Sequence, residues 1–456
     1  MAIDCFSAVT RAPARLSSTF RSLIPDSRQL VRILTHDHYT LIAEMLEIST
    51  PIALSLPAGH SARKLRILQV VPTYFPAIRY GGPIRSVHAL SKSLAARGHD
   101  VHVFTSSVDG PNDLDFPTSA PIELDGVKVR YFPVRFLRRL YWSPPMSVAL
   151  REEVSGFDIL HLHSVFLWPT WAAARIAHSL RIPYIVSPRG SLGREVIRRK
   201  STMIKSSWIR LIEQRTLRES AGVHVTSDIE CTEIKALGLR LPELFCVPNG
   251  VDAPEKYPAL SAGPFSAIKR PYALFLSRIN WKKGLDRLLE AWRLVPELTL
   301  IIAGNDEEGY QEKLRAIARQ HQVQDRICFI GPVSEEHKWA LYENAELLVL
   351  PSYAENFGNV VAEAMIVGCP VVVTPEVGLS TLVRDSGAGL VVDGAPLTLG
   401  AAIRTLAQDS NRRRDMGERG RFAARRHLTW ESVARRMETL YAEVLLKADV
   451  SSSSTV

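Results

Sequence analysis

Short apolar runs and helically spaced apolar residues alternate along most of this 456-residue chain. Leu65–Val71 and Val101–Thr105 have the length and branching of buried strands, and between them Val87, Leu90, Leu94 and Ala95 recur at helical spacing. The helix stops at Arg97-Gly98, and Gly81-Gly82-Pro83 precedes it, which predicts a β–α–β unit. Val127–Pro133, Phe157–His163, Tyr184–Ser187, Val223–Thr226 and Leu244–Val247 predict further strands. The pattern then restarts. Strands are predicted at Tyr272–Leu276, Leu298–Ala303, Ile327–Gly331, Leu347–Leu350, Val371–Val373 and Gly387–Val392. Helices are predicted at Leu285–Leu294, Tyr310–Gln320, from Val360 to Met365, at 398–408 and at 430–446. Such alternation predicts an α/β fold with two doubly wound domains.

The first domain spans 63–252, completed by the helix at 430–446, and the second spans 270–429. A linker rich in Pro, Ala, Ser and Gly, 253–269, joins them. Residues 1–62 show no alternating strands and read as a flexible N-terminal extension, and 447–456 as a disordered, Ser-rich tail. Hydrophobic content of 46% and charged content of 23% fit a soluble globular chain. No run approaches the ~18 apolar residues of a spanning helix. The five cysteines lack paired metal-type spacing and read as reduced thiols of a cytoplasmic protein. The net charge of +9 is concentrated: residues 134–218 hold 15 Lys and Arg against 5 Asp and Glu. That patch suits a phosphorylated ligand, an anionic membrane surface or nucleic acid, but no nucleic-acid-binding signature accompanies it and no nucleic acid is expected.

The chemistry gathers at strand ends. Glu355-Asn-Phe-Gly follows the strand at 347–350 and opens a helix, with Glu363 eight positions after Glu355. Phe357, Gly358 and Asn359 put free amides and positive dipole potential at that helix start, which suits phosphate, and Glu363 suits a pair of ribose hydroxyls. The bland reading is a carboxylate complementing a helix dipole and a solvated one beyond it. Arg278 and Lys283 lie between a strand end and a helix start, where two cations can clamp a diphosphate or simply be solvated. His163 ends a parallel strand, where ligands bind, although a lone histidine is more often structural. Gly81 and Gly82 are either a tight turn or a close approach to phosphate. Arg189, in Pro188-Arg-Gly-Ser, meets a phosphate, an acceptor or a structural carboxylate. No G-x-G-x-x-G follows the first strand, which argues against a nicotinamide enzyme. Asp113-Leu-Asp115 has the spacing of a metal-binding pair but sits in an expected surface loop, and no metal site is assigned.

Over residues 64–446 these strings resemble the GT4 family of retaining GT-B glycosyltransferases, of the kind that builds bacterial surface polysaccharides. The resemblance rests on Glu355-Asn-Phe-Gly with Glu363, on Arg278 with Lys283-Gly284, on His161-Leu-His163 and on Pro188-Arg-Gly-Ser-Leu192; Ser277 stands where a glycine is frequent. It implies two Rossmann-like domains facing across a cleft and a nucleotide-diphosphate sugar as donor, with no cofactor. Glu355 would hold sugar hydroxyls, His163 the sugar from the opposite domain, Arg278 and Lys283 the diphosphate, and Glu363 the ribose. Gly81 and Gly82 would approach the donor phosphate, and Val333 would sit where the nucleobase is read. The acceptor would be a glycan or a lipid-linked sugar, met by variable loops around 106–122, 134–150 and 190–207. Arg189, Arg198, Arg199 and Lys200 fall on that acceptor or membrane side, which would attach the protein peripherally to an anionic membrane face. A sugar-nucleotide epimerase, a phosphorylase or a non-catalytic nucleic-acid-binding protein remain as alternatives. No pyridoxal lysine motif or proton-abstracting carboxylate arrangement favours the first two.

Overall fold

A strand with helices on both faces has no polar side, and Leu347–Leu350 and Val371–Val373 lie that way, every residue buried. The computed structural model describes residues 63–77, 82–193, 208–306 and 308–453. The first lobe runs β1 (Arg66–Val70), α1 (Gly82–Ala96), β2 (Asp100–Ser106), β3 (Ile122–Leu124), β4 (Val127–Phe132) and α2 (Pro144–Glu153). It continues with β5 (Ile159–His163), α3 (Trp168–Ser179), β6 (Tyr184–Ser187), β7 (Gly222–Val225), α4 (Asp228–Lys235) and β8 (Leu244–Cys246). These form one eight-stranded sheet in the order β8-β7-β6-β5-β1-β2-β4-β3, parallel except for β3.

The second lobe runs β9 (Tyr272–Leu276), α5 (Leu285–Ala291), β10 (Thr299–Ala303), α6 (Tyr310–Gln320), β11 (Ile327–Gly331), α7 (Lys338–Asn344), β12 (Leu347–Leu350) and α8 (Asn359–Val367). After these come β13 (Val371–Val373), α9 (Ser380–Ser386), β14 (Gly389–Val391), α10 (Pro396–Gln408) and α11 (Ser410–His427). Its six strands are all parallel, in the order β11-β10-β9-β12-β13-β14. The order reverses between β1 and β5 in one sheet and between β9 and β12 in the other, and ligands bind outside the carboxyl ends of strands at such points.

Successive strand residues face opposite sides, so the first-lobe sheet feeds two cores. Leu68, Leu160, Leu162, Val186 and Val223 pack under α2 and α3. Ile67, Val103, Ile159 and Ile185 pack on the other side with Val87 and Leu90 of α1. The same core holds Val433, Met437, Leu440, Tyr441 and Val444 of the last helix, α12 (Trp430–Ser453).

Strand β3 and helices α2, α3, α4, α7 and α9 were not anticipated from the sequence, and two further departures have a readable cause. The helix expected to end at 446 continues to Ser453, so most of the expected tail is ordered; Lys447 anchors it by pairing with Glu243 and lying over the Phe245 ring. Helix α11 was not anticipated, because its buried face is made of Gly417, Gly420, Ala423 and Ala424 instead of large apolar residues. A Cβ on Gly417 would collide with the Gly368 carbonyl at the end of α8, so that small face lets the two backbones touch. Residues 1–62, expected as an extension, lie outside the described residues.

Candidate active site

The switch point between β9 and β12 opens onto a cleft of about 950 Å³ between the lobes. Two loops build its second-lobe wall. After β9, Asn280 caps a short turn by accepting from the Lys282 amide, and Gly284, at φ +66°, ends the turn and starts α5. No other residue type fits there, since a Cβ would strike the Pro351 carbonyl. This turn delivers Lys283 into the cleft, 8% exposed, with the exposed Arg278 lining it further out. After β12, the Glu355 amide donates to the Glu376 carbonyl and its own carbonyl accepts from Gly378, fixing the loop. Lys283 Nζ forms an ion pair with Glu355 Oε2.

Gly358, at φ +94°, turns the chain into α8 with no side-chain cap, so the helix start at Asn359 presents unblocked amides to the cleft. One turn on, Glu363 accepts from Lys338 Nζ at 2.8 Å and from the Tyr342 hydroxyl at 2.8 Å. Both donors come from α7 at i and i+4, which places them on one face. Glu363, Val333, Phe357, Gly358 and Asn359 all line the cleft. Lys338 and Tyr342 were not singled out from sequence; their only signal is that helical spacing opposite a glutamate.

The first-lobe wall carries Gly82, Arg189 and Gly190. Gly82 lies against the second lobe: a Cβ there would come within 2.9 Å of Asn359 Nδ2 and push that side chain aside. Arg189, expected on the acceptor or membrane side, lines the first-lobe wall of the cleft, where Nη1 donates to Asn249 Oδ1 at 2.7 Å. His163, expected against the donor sugar, does not line the cleft. It shares a sheet face with His161, two positions earlier, and α12 covers that face. Its Nε2 meets Gln69 Oε1 at 2.6 Å, and its Nδ1 meets Arg189 Nη2 at 3.4 Å. Burial holds His161 and His163 well below the ordinary histidine pKa, and His224 down to about 3, so all three rings are neutral. Gly81, Arg198, Arg199 and Lys200 lie outside the described residues. Asp113 sits in a two-stranded ribbon and pairs with Arg138, away from the cleft.

The lobes also touch directly. Asn356 Nδ2 donates to Thr226 Oγ1 (2.8 Å) and Glu230 Oε2 (3.2 Å), its carbonyl accepts from Ser227 Oγ (2.7 Å), and Asn249 donates to Asn359 (3.2 Å). A cleft with fixed cations, an open helix start and two carboxylates on one wall can hold a diphosphate and the hydroxyls of its two attached sugars.

Comparison with known proteins points the same way. The family model described as Glycosyl transferases group 1 matches residues 261–422, and that of a Glycosyl transferase 4-like domain matches 81–250. A glycogen synthase of Mycobacterium tuberculosis is 31% identical over 84% of this chain and 95% of its own length. Among solved structures, a sucrose-phosphate synthase from Thermosynechococcus elongatus aligns with a TM-score of 0.67 at 23% identity, over 84% of this chain and 100% of that one. Anabaena HepE in complex with UDP-glucose aligns at 0.64 and 19% identity, over 83% of this chain and 100% of its own.

Proposed function

Since the chain belongs to the group 1 (GT4) glycosyltransferases, hexosyltransferase-type enzymes with two Rossmann-like lobes that use nucleotide sugars, we propose that it is a retaining, metal-independent transferase acting on a UDP-sugar. The acceptor is a glycan or lipid-linked sugar in cell-surface polysaccharide or glycolipid synthesis. UDP is the nucleotide of choice because HepE, similar in fold, is in complex with UDP-glucose.

The observation that carries the reading is the Lys283–Glu355 pair beside the uncapped start of α8, at the topological switch point. When donor enters, Lys283 and Arg278 turn to the diphosphate, joined by the α8 amides, and Glu355 is released to the sugar hydroxyls. The bond from sugar C1 to the diphosphate oxygen breaks with its electron pair going to that oxygen. The acceptor hydroxyl forms the new bond on the same face and gives its proton to the departing oxygen. Positive potential fixed before the reaction stabilises that departing charge. Glu363, already oriented by Lys338 and Tyr342, accepts from the ribose.

The acceptor side is the first lobe. Phe136 is 69% exposed and Leu137 62%, and Leu211 is 77% exposed between Arg210, Arg215 and Arg218. Exposed apolar tips with cations close to them in sequence suit an anionic membrane face. Among the described residues no helix is long and apolar enough to cross a membrane. The test is transfer from UDP-sugars to an acceptor panel with and without EDTA, the product anomer read by NMR. Activity that survives chelation with the anomer kept is expected. Activity lost to EDTA and restored by magnesium or manganese, or an inverted product, overturns the corresponding half.

A further inference from the structure

The sheet face under α12 carries a row of buried polar side chains that the transfer step does not use: Gln69, His161, His163, Ser187 and His224. They stand on neighbouring parallel strands, with Gln69 beside His161 and His163 beside Ser187 in register. Two ends of the row have fixed roles. At one end the Val247 carbonyl can only accept, so His224 Nε2 donates to it (2.8 Å). His224 Nδ1, in a neutral ring, then accepts from Ser187 Oγ (2.5 Å). Ser187 in turn accepts from His161 Nε2 (2.9 Å), which leaves His161 Nδ1 to accept from the Tyr441 hydroxyl (2.9 Å).

At the other end the Arg189 guanidinium can only donate, so His163 Nδ1 accepts and His163 Nε2 donates to Gln69 Oε1. That fixes the Gln69 amide with its NH2 toward the Tyr441 oxygen, at 3.4 Å. The two derivations meet at Tyr441. Every proton in the row points away from Arg189, and all three histidines carry theirs on Nε2.

Arg189 therefore faces lone pairs only. Its two known partners, Asn249 Oδ1 and His163 Nδ1, are neutral, and its Nε has no partner among the described residues. The nearby Glu230 spends its oxygens on the Gly190 amide (2.6 Å), the Thr226 amide (2.8 Å), Thr226 Oγ1 (2.9 Å) and Asn356 (3.2 Å). Burial brings the guanidinium pKa down to about 10, still well above neutrality. The row thus accepts from a desolvated cation on the cleft wall without adding a charge of its own, and Glu230 acts on that cation only through space.

We propose that Arg189 binds a phosphate group of a ligand in the cleft, and that Tyr441, acting through Gln69 and His163, is a positioning residue for it. Without the Tyr441 hydroxyl, the Gln69 amide loses the acceptor of its NH2, and just the long 3.4 Å contact of Arg189 with His163 still opposes its turning. Its NH2 would then face His163 Nε2, drive that proton to Nδ1 and set an N–H against the Arg189 N–H. The phosphate belongs either to the donor diphosphate or to the acceptor. This rests on the nucleotide-sugar reading above, and the experiment separates the two.

Titration calorimetry of the full chain is run with UDP, and with inorganic phosphate at saturating UDP. Arg189→Gln should weaken one of them about ten- to hundredfold, UDP if the phosphate is the donor's and inorganic phosphate if it is the acceptor's. Arg189→Lys, which keeps the charge, should retain most of that binding. Tyr441→Phe should weaken the same ligand about three- to tenfold, less than additively with Arg189→Gln. In 15N-histidine NMR it should move the His163 proton from Nε2 to Nδ1, a change that simple loss of packing would not produce. Unchanged binding of both ligands by folded Arg189→Gln overturns the phosphate role. An unchanged His163 tautomer in Tyr441→Phe overturns the positioning role. Wild-type protein that binds no UDP contradicts the donor reading instead, and its phosphate titration in buffer then decides Arg189 alone, absence of binding counting against it.

Discussion

On the second-lobe wall of the cleft, cations and carboxylates meet one another: Lys283 with Glu355, and Lys338 with Glu363. On the first-lobe wall, Arg189 hydrogen-bonds neutral acceptors among the described residues, backed by a row of uncharged histidines. The two arrangements serve different needs. An ion pair keeps poorly exposed charged groups tolerable and, on the function proposed above, opens to a ligand that offers both a diphosphate and hydroxyls. A neutral network holds a charge in place and leaves it uncancelled. On that reading the second wall rearranges on binding while the first holds its charge in place, because a single reversed proton would disturb the whole row.

The sharpest way to break this contrast lies in the ion pair. Glu355→Gln and Lys283→Ala should each lower kcat/KM for transfer by about 10²–10³-fold. Each leaves a poorly exposed charge without its partner, so a drop in thermal stability should accompany the loss, and rates are compared at a temperature where both variants are folded. Near-normal rates in both would mean that the pair is a structural bridge and the reacting sugar lies elsewhere. A smaller loss should follow Glu363→Gln: about a tenfold rise in KM for the UDP-sugar with kcat nearly unchanged, since ribose binding is the same in ground and transition state. A fall in kcat alone would move Glu363 to the reacting centre.

The first wall is tested by pH. The unfolded chain protonates His161, His163 and His224 near pH 6.5, while the folded rings stay neutral. The unfolded state then binds more protons, so this contribution is fully present above pH 6.5 and is lost as pH falls. The slope is at most about 1.4 kcal/mol per pH unit for each histidine. Urea unfolding between pH 7 and 5 should show it, and His163→Gln should flatten it by one histidine's share. An unchanged slope in that variant would mean that His163 is charged in the folded protein.

The smallest effect is expected outside the cleft. Vesicles containing anionic lipid should bind the protein and neutral ones should not, with binding weakened by salt over the ~8–10 Å screening range. Charge reversal at Arg198, Arg199 and Lys200 should reduce binding several-fold without altering UDP affinity. Equal partitioning onto both vesicle types, or onto neither, removes the membrane role.

By itself the sequence determined the two-lobed α/β plan and the second-lobe wall. Apolar runs such as Tyr272–Leu276 and Leu347–Leu350 can be little else than buried parallel strands, and the loops that follow them must lie at the carboxyl edge. Lys283, Glu355 and the start of α8 are close in sequence to those strand ends, so their convergence was legible. What lies far apart in the chain was not. Helix α11 has no apolar stripe to read, since close backbone approach selects glycine and alanine instead of size. Glu363 reads as a carboxylate for ribose, yet only packing of α7 against α8 supplies Lys338 and Tyr342 to orient it. His163 reads as a strand-end ligand because position along a strand is visible in sequence. Which face is covered is not: the last helix was expected to complete the first domain, but only the tertiary structure lays α12 on this particular face, setting Tyr441 beside His161 and leaving Arg189 on the cleft wall.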